Sequence, residues 1–187
     1  MAESTAFDKW AEAYAQYACS GEELLWPSET LVRSFKGAYV PGLDRQNMAG
    51  KRVLDVGHGN GNNLVFLASL GLKLSGSEVD PRISEMVAGK LKKLGYESDL
   101  KIGTNRQLPF ADATFDFLTS WNVIHYEDNE ADMAAAIQEY RRVLAPGGRF
   151  FISTTEPDHK ILLNCTPLGP HRYQIGRPGD FRAGQVY

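Results

Sequence analysis

Cysteine is scarce in this 187-residue chain, which contains only Cys19 and Cys165. The two lie far apart and form neither a Cys-x-x-Cys pair nor a Cys/His ligand pattern, which excludes a disulfide scaffold and a structural zinc site. We expect both thiols to be reduced and structural. No metal is predicted either, because the four histidines lack ligand spacing with one another or with acidic residues. These histidines are His58, His125, His159 and His171.

Basic clusters and long apolar runs are also absent. The chain has 20 Lys and Arg against 23 Asp and Glu, a net charge of −3, and no run of five basic residues. Nothing therefore supplies the positive field that a nucleic acid or an anionic membrane attracts. Met1–Phe7 is polar, and no segment approaches the roughly 18 apolar residues of a membrane span. We predict a cytoplasmic protein with no nucleic-acid or membrane partner.

From Lys51 onward, short β-branched runs alternate with longer helical patterns, which is typical of βαβ units. One predicted helix begins at Pro81 and is followed by Gly95, and the next one is followed by Pro146. Because such crossovers are right-handed, we predict an α/β fold with an open, doubly wound, mostly parallel sheet. The predicted strands are Arg52–Val56, Leu72–Glu78, Asp99–Ile102, Phe115–Trp121 and Arg149–Thr155, and the predicted helices are Asn62–Leu70, Pro81–Leu94 and Glu130–Leu144.

Two flanking segments differ from this core, so the predicted division is a helical cap over 1–50, a core over 51–155 and a loop-rich tail over 156–187. In the cap, Ser28 is placed to cap a helix carrying Leu31, Val32 and Phe35. An aromatic stripe before it is compatible with core packing or with a lid over a ligand. That stripe comprises Phe7, Trp10, Ala11, Tyr14 and Ala18.

The strongest motif is a glycine loop between the first predicted strand and helix, with glycines at 57, 59 and 61. Residues without Cβ let the backbone turn sharply and come close to a ligand. Position 62 is Asn where the dinucleotide fingerprint needs Gly, and the Gly-Lys-Ser/Thr of a P-loop is absent. The loop therefore favours a nucleoside ligand over a nicotinamide dinucleotide or a triphosphate.

Glu78 ends the second predicted strand, where an acid can accept two hydrogen bonds from a ribose diol. The alternative is that Glu78 only caps the next helix. Asp80 is better placed for that cap.

Five motifs in order resemble the class I S-adenosylmethionine-dependent methyltransferases of the small-molecule type. The resemblance covers about Lys51–Thr155. It rests on Asp55-Val56-Gly57-His58-Gly59-Asn60-Gly61, on Gly76-Ser77-Glu78, on Gly103-Thr104-Asn105-Arg106-Gln107-Leu108-Pro109-Phe110, on Phe115-Asp116 with Ser120-Trp121-Asn122-Val123-Ile124-His125, and on Arg142-Val143-Leu144-Ala145-Pro146-Gly147-Gly148-Arg149.

The resemblance implies a Rossmann-like methyltransferase fold and methyl transfer from S-adenosyl-L-methionine to a small-molecule acceptor by in-line displacement. S-adenosyl-L-homocysteine is the implied product. The implied cofactor-binding residues are Asp55, Gly57, Gly59, Gly61, Asn63, Glu78, Val79, Thr104, Asn105, Trp121 and Asn122. The residues expected to face the acceptor are Tyr14, Trp26, His125 and Tyr126. No catalytic residue is assigned: His125 and Tyr126 are candidates for a base, but an isolated His in such a place is more often a packing or binding residue.

The chain departs from the family pattern in two places. Thr104 stands where an Asp usually holds the adenine amino group, and the side-chain carbonyl of Asn105 is a possible substitute. The family's sheet also ordinarily continues beyond the fifth strand, so the chain resembles a C-terminally truncated member whose terminal antiparallel strands are missing.

An edge strand left in this way predicts a possible homodimer, or tail contacts in place of the missing strands. Two other function classes stay open. One is a catalytically impaired methyltransferase-fold protein that acts as a binding or assembly partner. The other is a nicotinamide-dependent oxidoreductase, which the glycine spacing disfavours.

Overall fold

A computed structural model of the chain describes residues 12, 14–16, 26–156, 159, 162–163, 165–170, 172–176 and 183–184. Within the predicted aromatic stripe, only Tyr14 is among them, and residues 12 and 14–16 are helical. Phe7, Trp10, Ala11 and Ala18 lie outside the described residues, and so does Cys19. The other cysteine, Cys165, is half-buried.

The described chain alternates strands and helices as the hydrophobic pattern predicts. The elements are α1 (Glu29–Lys36), β1 (Arg52–Val56), α2 (Asn62–Ser69), β2 (Lys73–Glu78), α3 (Pro81–Lys93), β3 (Ser98–Ile102), β4 (Phe115–Trp121), a 3₁₀ turn (Ile124–Tyr126), α4 (Glu130–Val143), β5 (Leu144–Ser153), β6 (Thr166–Gly169) and β7 (Arg172–Gln174).

The first five strands form one parallel sheet in the order β3-β2-β1-β4-β5. This confirms the predicted doubly wound α/β fold. The strand order reverses between β1 and β4, and in open α/β sheets such a switch point opens a crevice at the carboxyl ends of the strands. The fold therefore brings the glycine loop after β1 close to the end of β4.

Strand β5 begins earlier than the predicted Arg149–Thr155. Phe115 already pairs with Leu144, whereas Phe117 pairs with Arg149, so the β5 segment between these pairs bulges out of register. Gly147 lies in that bulge with a φ of 78°. The Pro-Gly-Gly sequence therefore marks an irregularity inside the strand pairing and not a turn that precedes it.

The tail, predicted to be mostly loop, contains the antiparallel pair β6 and β7. The pair forms its own two-stranded sheet and does not extend the main one in the described part of the chain. Its strands are four and three residues long, which is short enough to escape a pattern rich in Gly and Pro.

Helices cover both faces of the sheet. On one face Phe35 of α1 packs edge-on against Phe66 and Phe117 within a cluster that also includes α2 and α3. On the other face the fully buried Tyr140 and Val143 of α4 pack against β1 and β4. Leu31 and Phe35 are buried as predicted.

The predicted caps differ from each other in outcome. Asp80 caps α3, because its side chain accepts a hydrogen bond from the Arg82 N–H. Ser28 occupies the N-cap position of α1, but its side chain makes no cap hydrogen bond. Its backbone N–H instead donates to Asn63 Oδ1 at 3.0 Å, which ties α1 to the start of α2.

Among the described residues, no helix combines the length and the apolarity that crossing a bilayer requires. The same residues hold no cluster of three or more His, Cys, Asp or Glu side chains suited to a metal ion.

Candidate functional site

A cavity of about 490 Å³ lies at the switch point, over the carboxyl ends of the first four strands. This volume falls within the range of small-molecule sites in proteins. The cavity is lined by Tyr14, Val56, Gly57, Gly59, Ser77, Glu78, Val79, Gly103, Thr104, Asn105, Arg106, Trp121, Asn122, Val123, Tyr126, Glu127 and Asp128.

Most of the residues singled out from the sequence line this cavity. Those that do are Gly57, Gly59, Glu78, Val79, Thr104, Asn105, Trp121, Asn122, Tyr14 and Tyr126. Five do not, namely Asp55, Gly61, Asn63, Trp26 and His125. Residues from Gly57 to Tyr126, which follow different strands, thus meet at one crevice because the carboxyl ends of parallel strands share one edge of the sheet.

The glycine loop turns with positive φ at Gly57, Gly59 and Gly61, where L side chains are strained. A Cβ on Gly57 would stand 2.6 Å from Val123 Cγ2, and one on Gly61 would stand 2.6 Å from Val87 Cγ1. The absence of a side chain therefore lets the loop pack closely on Val123, which also lines the cavity, and on Val87 of α3.

Glu78 fixes the glycine loop from the end of β2. Its two carboxylate oxygens accept hydrogen bonds from the backbone N–H groups of Gly59, at 3.0 Å, and Val79, at 2.8 Å. Burial raises the pKa of Glu78, and these two hydrogen bonds oppose the rise. Each oxygen keeps a further lone pair, so the carboxylate can still accept a hydrogen bond from a ligand in the cavity.

Asp55 lies buried beneath the loop, in the middle of the sheet. Its Oδ1 accepts a hydrogen bond from Thr119 Oγ1 at 2.6 Å, and its Oδ2 has no hydrogen-bond partner in the described part of the chain. Burial raises the pKa of Asp55 to about 7, the Thr119 hydrogen bond lowers it, and the charge of Glu78 adds to the rise. One buried oxygen thus remains available to a cationic or donor group.

His58, the unusual residue of the loop, is part of the scaffold. Its ring nitrogens lie 3.1 Å from the Gly59 carbonyl oxygen and 3.2 Å from Ser84 Oγ on α3. Burial lowers the pKa of His58 to about 4, so the ring is neutral near pH 7. It therefore stabilises the loop against α3 without contributing charge.

The side chain of Asn105 is held by two other residues. Its Oδ1 accepts from the Tyr140 hydroxyl at 2.8 Å, and its Nδ2 donates to Glu127 Oε1 at 2.8 Å. Glu127 also pairs with Arg106, whose Nε lies 3.1 Å from Oε2. The carbonyl that could substitute for the missing Asp at Thr104 is thus already engaged, and Glu127 supplies a carboxylate on this wall.

The end of β4 forms the opposite wall. Asn122 has a φ of 58°, and its backbone N–H donates to Ser153 Oγ at 2.9 Å. Tyr126 lines the cavity from the 3₁₀ turn, whereas His125 is buried beside it, with ring centroids 4.6 Å apart. Of the two candidate bases, Tyr126 is the one that reaches the cavity.

Tyr14 closes the cavity from the N-terminal segment. A Cβ on Gly59 would collide with its hydroxyl, so the ring lies directly over the glycine loop. The same segment is held to the start of α3 by Glu12, whose Oε2 lies 3.0 Å from Arg82 Nη2. Trp26, the other aromatic residue expected to face the acceptor, is 78% exposed and lies away from the cavity.

Sequence reasoning missed three charged residues of the lining: Arg106, Glu127 and Asp128. Each follows the end of β3 or β4 by several residues, in a loop whose path the hydrophobic pattern does not fix. Their position in the sequence could have identified them, since polar residues that follow parallel strands come together at the switch point.

The family model described as "Methyltransferase domain" matches residues 54–152. Among curated proteins, the sterol 4-C-methyltransferase strm-1 of Caenorhabditis elegans is 32% identical over 139 residues, covering 71% of this chain and 41% of that protein. The ubiquinone/menaquinone biosynthesis C-methyltransferase UbiE of Rubrivivax gelatinosus is 33% identical over 102 residues, covering 54% of this chain and 38% of that protein.

Among solved structures, the YcgJ protein of Bacillus subtilis superimposes with a TM-score of 0.53 at 26% identity, covering 66% of this chain and 49% of that one. The chain therefore spans about two fifths to one half of the length of these relatives.

Proposed function

The chain belongs to the methyltransferase domain family, and on that premise we propose that it transfers a methyl group from S-adenosylmethionine to a small-molecule acceptor. The observation that carries the proposal is the meeting of the glycine loop and the Glu78 carboxylate at one cavity.

The described residues fit this cofactor. Gly57 and Gly59 line the cavity without side chains, so a ligand can approach the backbone of the loop. Glu78 is placed to accept hydrogen bonds from a ribose diol, as an acid at the end of the second strand does in nucleoside sites. Asp55 does not line the cavity, so its unpartnered Oδ2 suits an ammonium group reached through a water molecule. Val79, Thr104 and Trp121 supply the remaining walls.

The cofactor, when bound, supplies a methyl group on a sulfonium. Transfer of that methyl group to a lone pair of the acceptor would leave S-adenosyl-L-homocysteine as the product. The protein's part is to align the acceptor and to exclude water, which contributes to rate by proximity. An acceptor that must lose a proton needs a base, and Tyr126 is the candidate that lines the cavity.

A small-molecule acceptor is supported by the size of the cavity and by the relatives, whose names include a sterol and a ubiquinone/menaquinone methyltransferase. The net charge of −3 disfavours nucleic acids and anionic membranes as partners. We place the protein in the cytoplasm, which the scarcity of cysteine supports.

The test is a calorimetric titration with S-adenosylhomocysteine, with NADH as the control ligand. We expect micromolar binding of S-adenosylhomocysteine and none of NADH. Glu78→Gln should weaken binding roughly 10- to 100-fold, because hydrogen bonds to a charged group are lost. The matched control is Glu97→Gln, at an exposed position away from the cavity. Binding of NADH, or equal affinity in Glu78→Gln and the wild type, would contradict the proposal.

A further inference from the structure

We propose that Glu127 determines which base the cavity accepts, because its carboxylate takes a hydrogen bond from the amino group of adenine. This rests on the proposed methyl transfer from S-adenosylmethionine and adds a specificity-determining residue to it. Glu127 lines the cavity just after the 3₁₀ turn, and its side chain is only 8% exposed. A carboxylate buried to this degree is stable only with hydrogen-bond donors around it.

The position of Glu78 indicates which wall the base contacts. Strand β2, which ends at Glu78, lies between β1 and β3 in the sheet. The glycine loop and the unpartnered oxygen of Asp55 lie on the β1 side, where they suit the amino-acid end of the cofactor. A ribose held at Glu78 therefore directs the base toward the β3 side. The loop after β3 lines the cavity there with Gly103, Thr104, Asn105 and Arg106.

This loop has no charged acceptor of its own to offer to an amino group. Thr104 hydrogen bonds to Gln107 through both its backbone N–H and its carbonyl oxygen, at 3.2 and 3.1 Å, and its side chain is an uncharged hydroxyl. The side-chain carbonyl of Asn105 accepts from the Tyr140 hydroxyl. A charged acceptor on this wall must therefore come from another segment.

Glu127 reaches the loop from the β4 side of the sheet. Its Oε1 accepts from Asn105 Nδ2 at 2.8 Å, and its Oε2 lies 3.1 Å from Arg106 Nε. Each oxygen has a further lone pair, so the carboxylate can accept one more N–H from a ligand. Burial raises the pKa of Glu127, whereas the contacts with Asn105 and Arg106 lower it. A donor on the ligand would stabilise the ionised carboxylate further.

A carboxylate that accepts from the amino group of adenine should reject a base that lacks this group. Purine differs from adenine only by a hydrogen atom in place of the amino group. When purine binds, the buried carboxylate loses contact with water and gains no donor in return. The ribose and the amino-acid end are the same in both ligands. The affinity ratio of the two ligands therefore reports the contact between the amino group and Glu127.

The test measures this ratio by calorimetry, with S-adenosylhomocysteine and its purine analogue as ligands. In the wild type we expect S-adenosylhomocysteine to bind roughly 10- to 100-fold more tightly, as a hydrogen bond to a charged group gives. In Glu127→Gln we expect the ratio to fall at least about fivefold, because a neutral amide oxygen is a weaker acceptor than a carboxylate.

Two further variants separate this effect from a general disturbance of the site. Asp132→Asn is the matched control, because Asp132 is the other acid that pairs with Arg106 and does not line the cavity. Glu78→Gln should weaken the binding of both ligands by the same factor, because both carry the ribose. Neither variant should change the ratio of the two affinities.

Equal affinities of the wild type for the two ligands would overturn the proposal, and this result does not depend on the folding of any variant. An unchanged ratio in Glu127→Gln, or the same fall of the ratio in Asp132→Asn, would also overturn it. In each of these cases S-adenosylhomocysteine still binds, so only the role of Glu127 is contradicted. Absence of binding by both ligands would contradict the proposed function as well.

Discussion

The two buried carboxylates at the cavity, Glu78 and Asp55, differ in the hydrogen bonds that offset their loss of hydration. Glu78 accepts hydrogen bonds from two backbone N–H groups, whereas Asp55 accepts one from Thr119 and keeps a second oxygen without a described partner. Burial raises the pKa of both side chains, to about 7 for Asp55. Asp55 is therefore the acid that destabilises the ligand-free fold more.

We expect Asp55→Asn to stabilise the ligand-free protein, and more so as the pH rises. The folded-state pKa of about 7 lies above the ordinary value of 3.8, so the folded state binds this proton more tightly than the unfolded chain does. The contribution of Asp55 to the free energy of unfolding is therefore present below about pH 4 and is lost as the pH rises through about 7. Asn does not titrate, so the variant should gain on the order of 1–3 kcal/mol at neutral pH and above.

Urea unfolding at several pH values measures this gain. Asp99→Asn is the control, because Asp99 is an exposed carboxylate on β3. A stability difference for Asp55→Asn that is constant across the pH range, or that shrinks as the pH rises, would show that Asp55 is already ionised in the folded protein.

At the scale of elements, the glycine loop combines a backbone requirement with a steric one. Gly57 and Gly95 both have positive φ, at 62° and 80°, so both strain an L side chain. Only Gly57 also meets a neighbour, because its Cβ would stand 2.6 Å from Val123, whereas nothing lies within 4 Å at Gly95. Comparing the two glycines therefore separates the effect of backbone strain from the effect of the steric clash with Val123.

We expect Gly57→Ala and Gly95→Ala each to lose about 1 kcal/mol of stability from the backbone conformation, and Gly57→Ala to lose more because its Cβ meets Val123. Gly57→Ala should in addition lose at least about tenfold in affinity for S-adenosylhomocysteine, because Val123 must move into the cavity or the loop must shift. Thermal unfolding measures the first effect and calorimetry the second. Equal affinities in the two variants would mean that the loop does not contact the ligand.

The elements were predictable where a local pattern determines them. Pro81 and Gly95 punctuate α3, and the predicted Pro81–Leu94 differs from the observed helix by one residue. The start of β5 was not predictable, because the bulge around Gly147 depends on which residues of β4 pair with the segment. The hairpin of β6 and β7 was missed for a similar reason, since strands so short leave little alternation to detect.

The same distinction holds for the site. The glycine loop and Glu78 are encoded in contiguous motifs, and both line the cavity. The engagement of Asn105 depends on Tyr140 and Glu127, which follow it by 35 and 22 residues. Such contacts arise from the packing of α4 on the sheet, which a single sequence does not specify.

At the scale of the whole molecule, the sheet has two outer strands of different character in the described part of the chain. The β3 edge carries the exposed ion pair of Asp99 and Lys101, and charged side chains on an edge strand discourage pairing with another chain. The β5 edge is longer, with ten residues, and exposes Phe150 at 50%. The predicted homodimer is therefore more favourable through β5 than through β3.

We expect the 187-residue chain to self-associate through β5, with a light-scattering mass that approaches twice the chain mass as concentration rises. Phe150→Lys should keep the chain monomeric, because it places a charge on the pairing edge and removes an exposed apolar side chain. Ile102→Lys is the matched control, since Ile102 is 49% exposed on β3 at the other edge. This variant should dimerise like the wild type. A monomeric mass at every concentration would contradict the dimer. Dissociation by Ile102→Lys alone would place the contact on β3. The Asp99–Lys101 pair would then lie at the interface, where charges of the partner chain would have to compensate it.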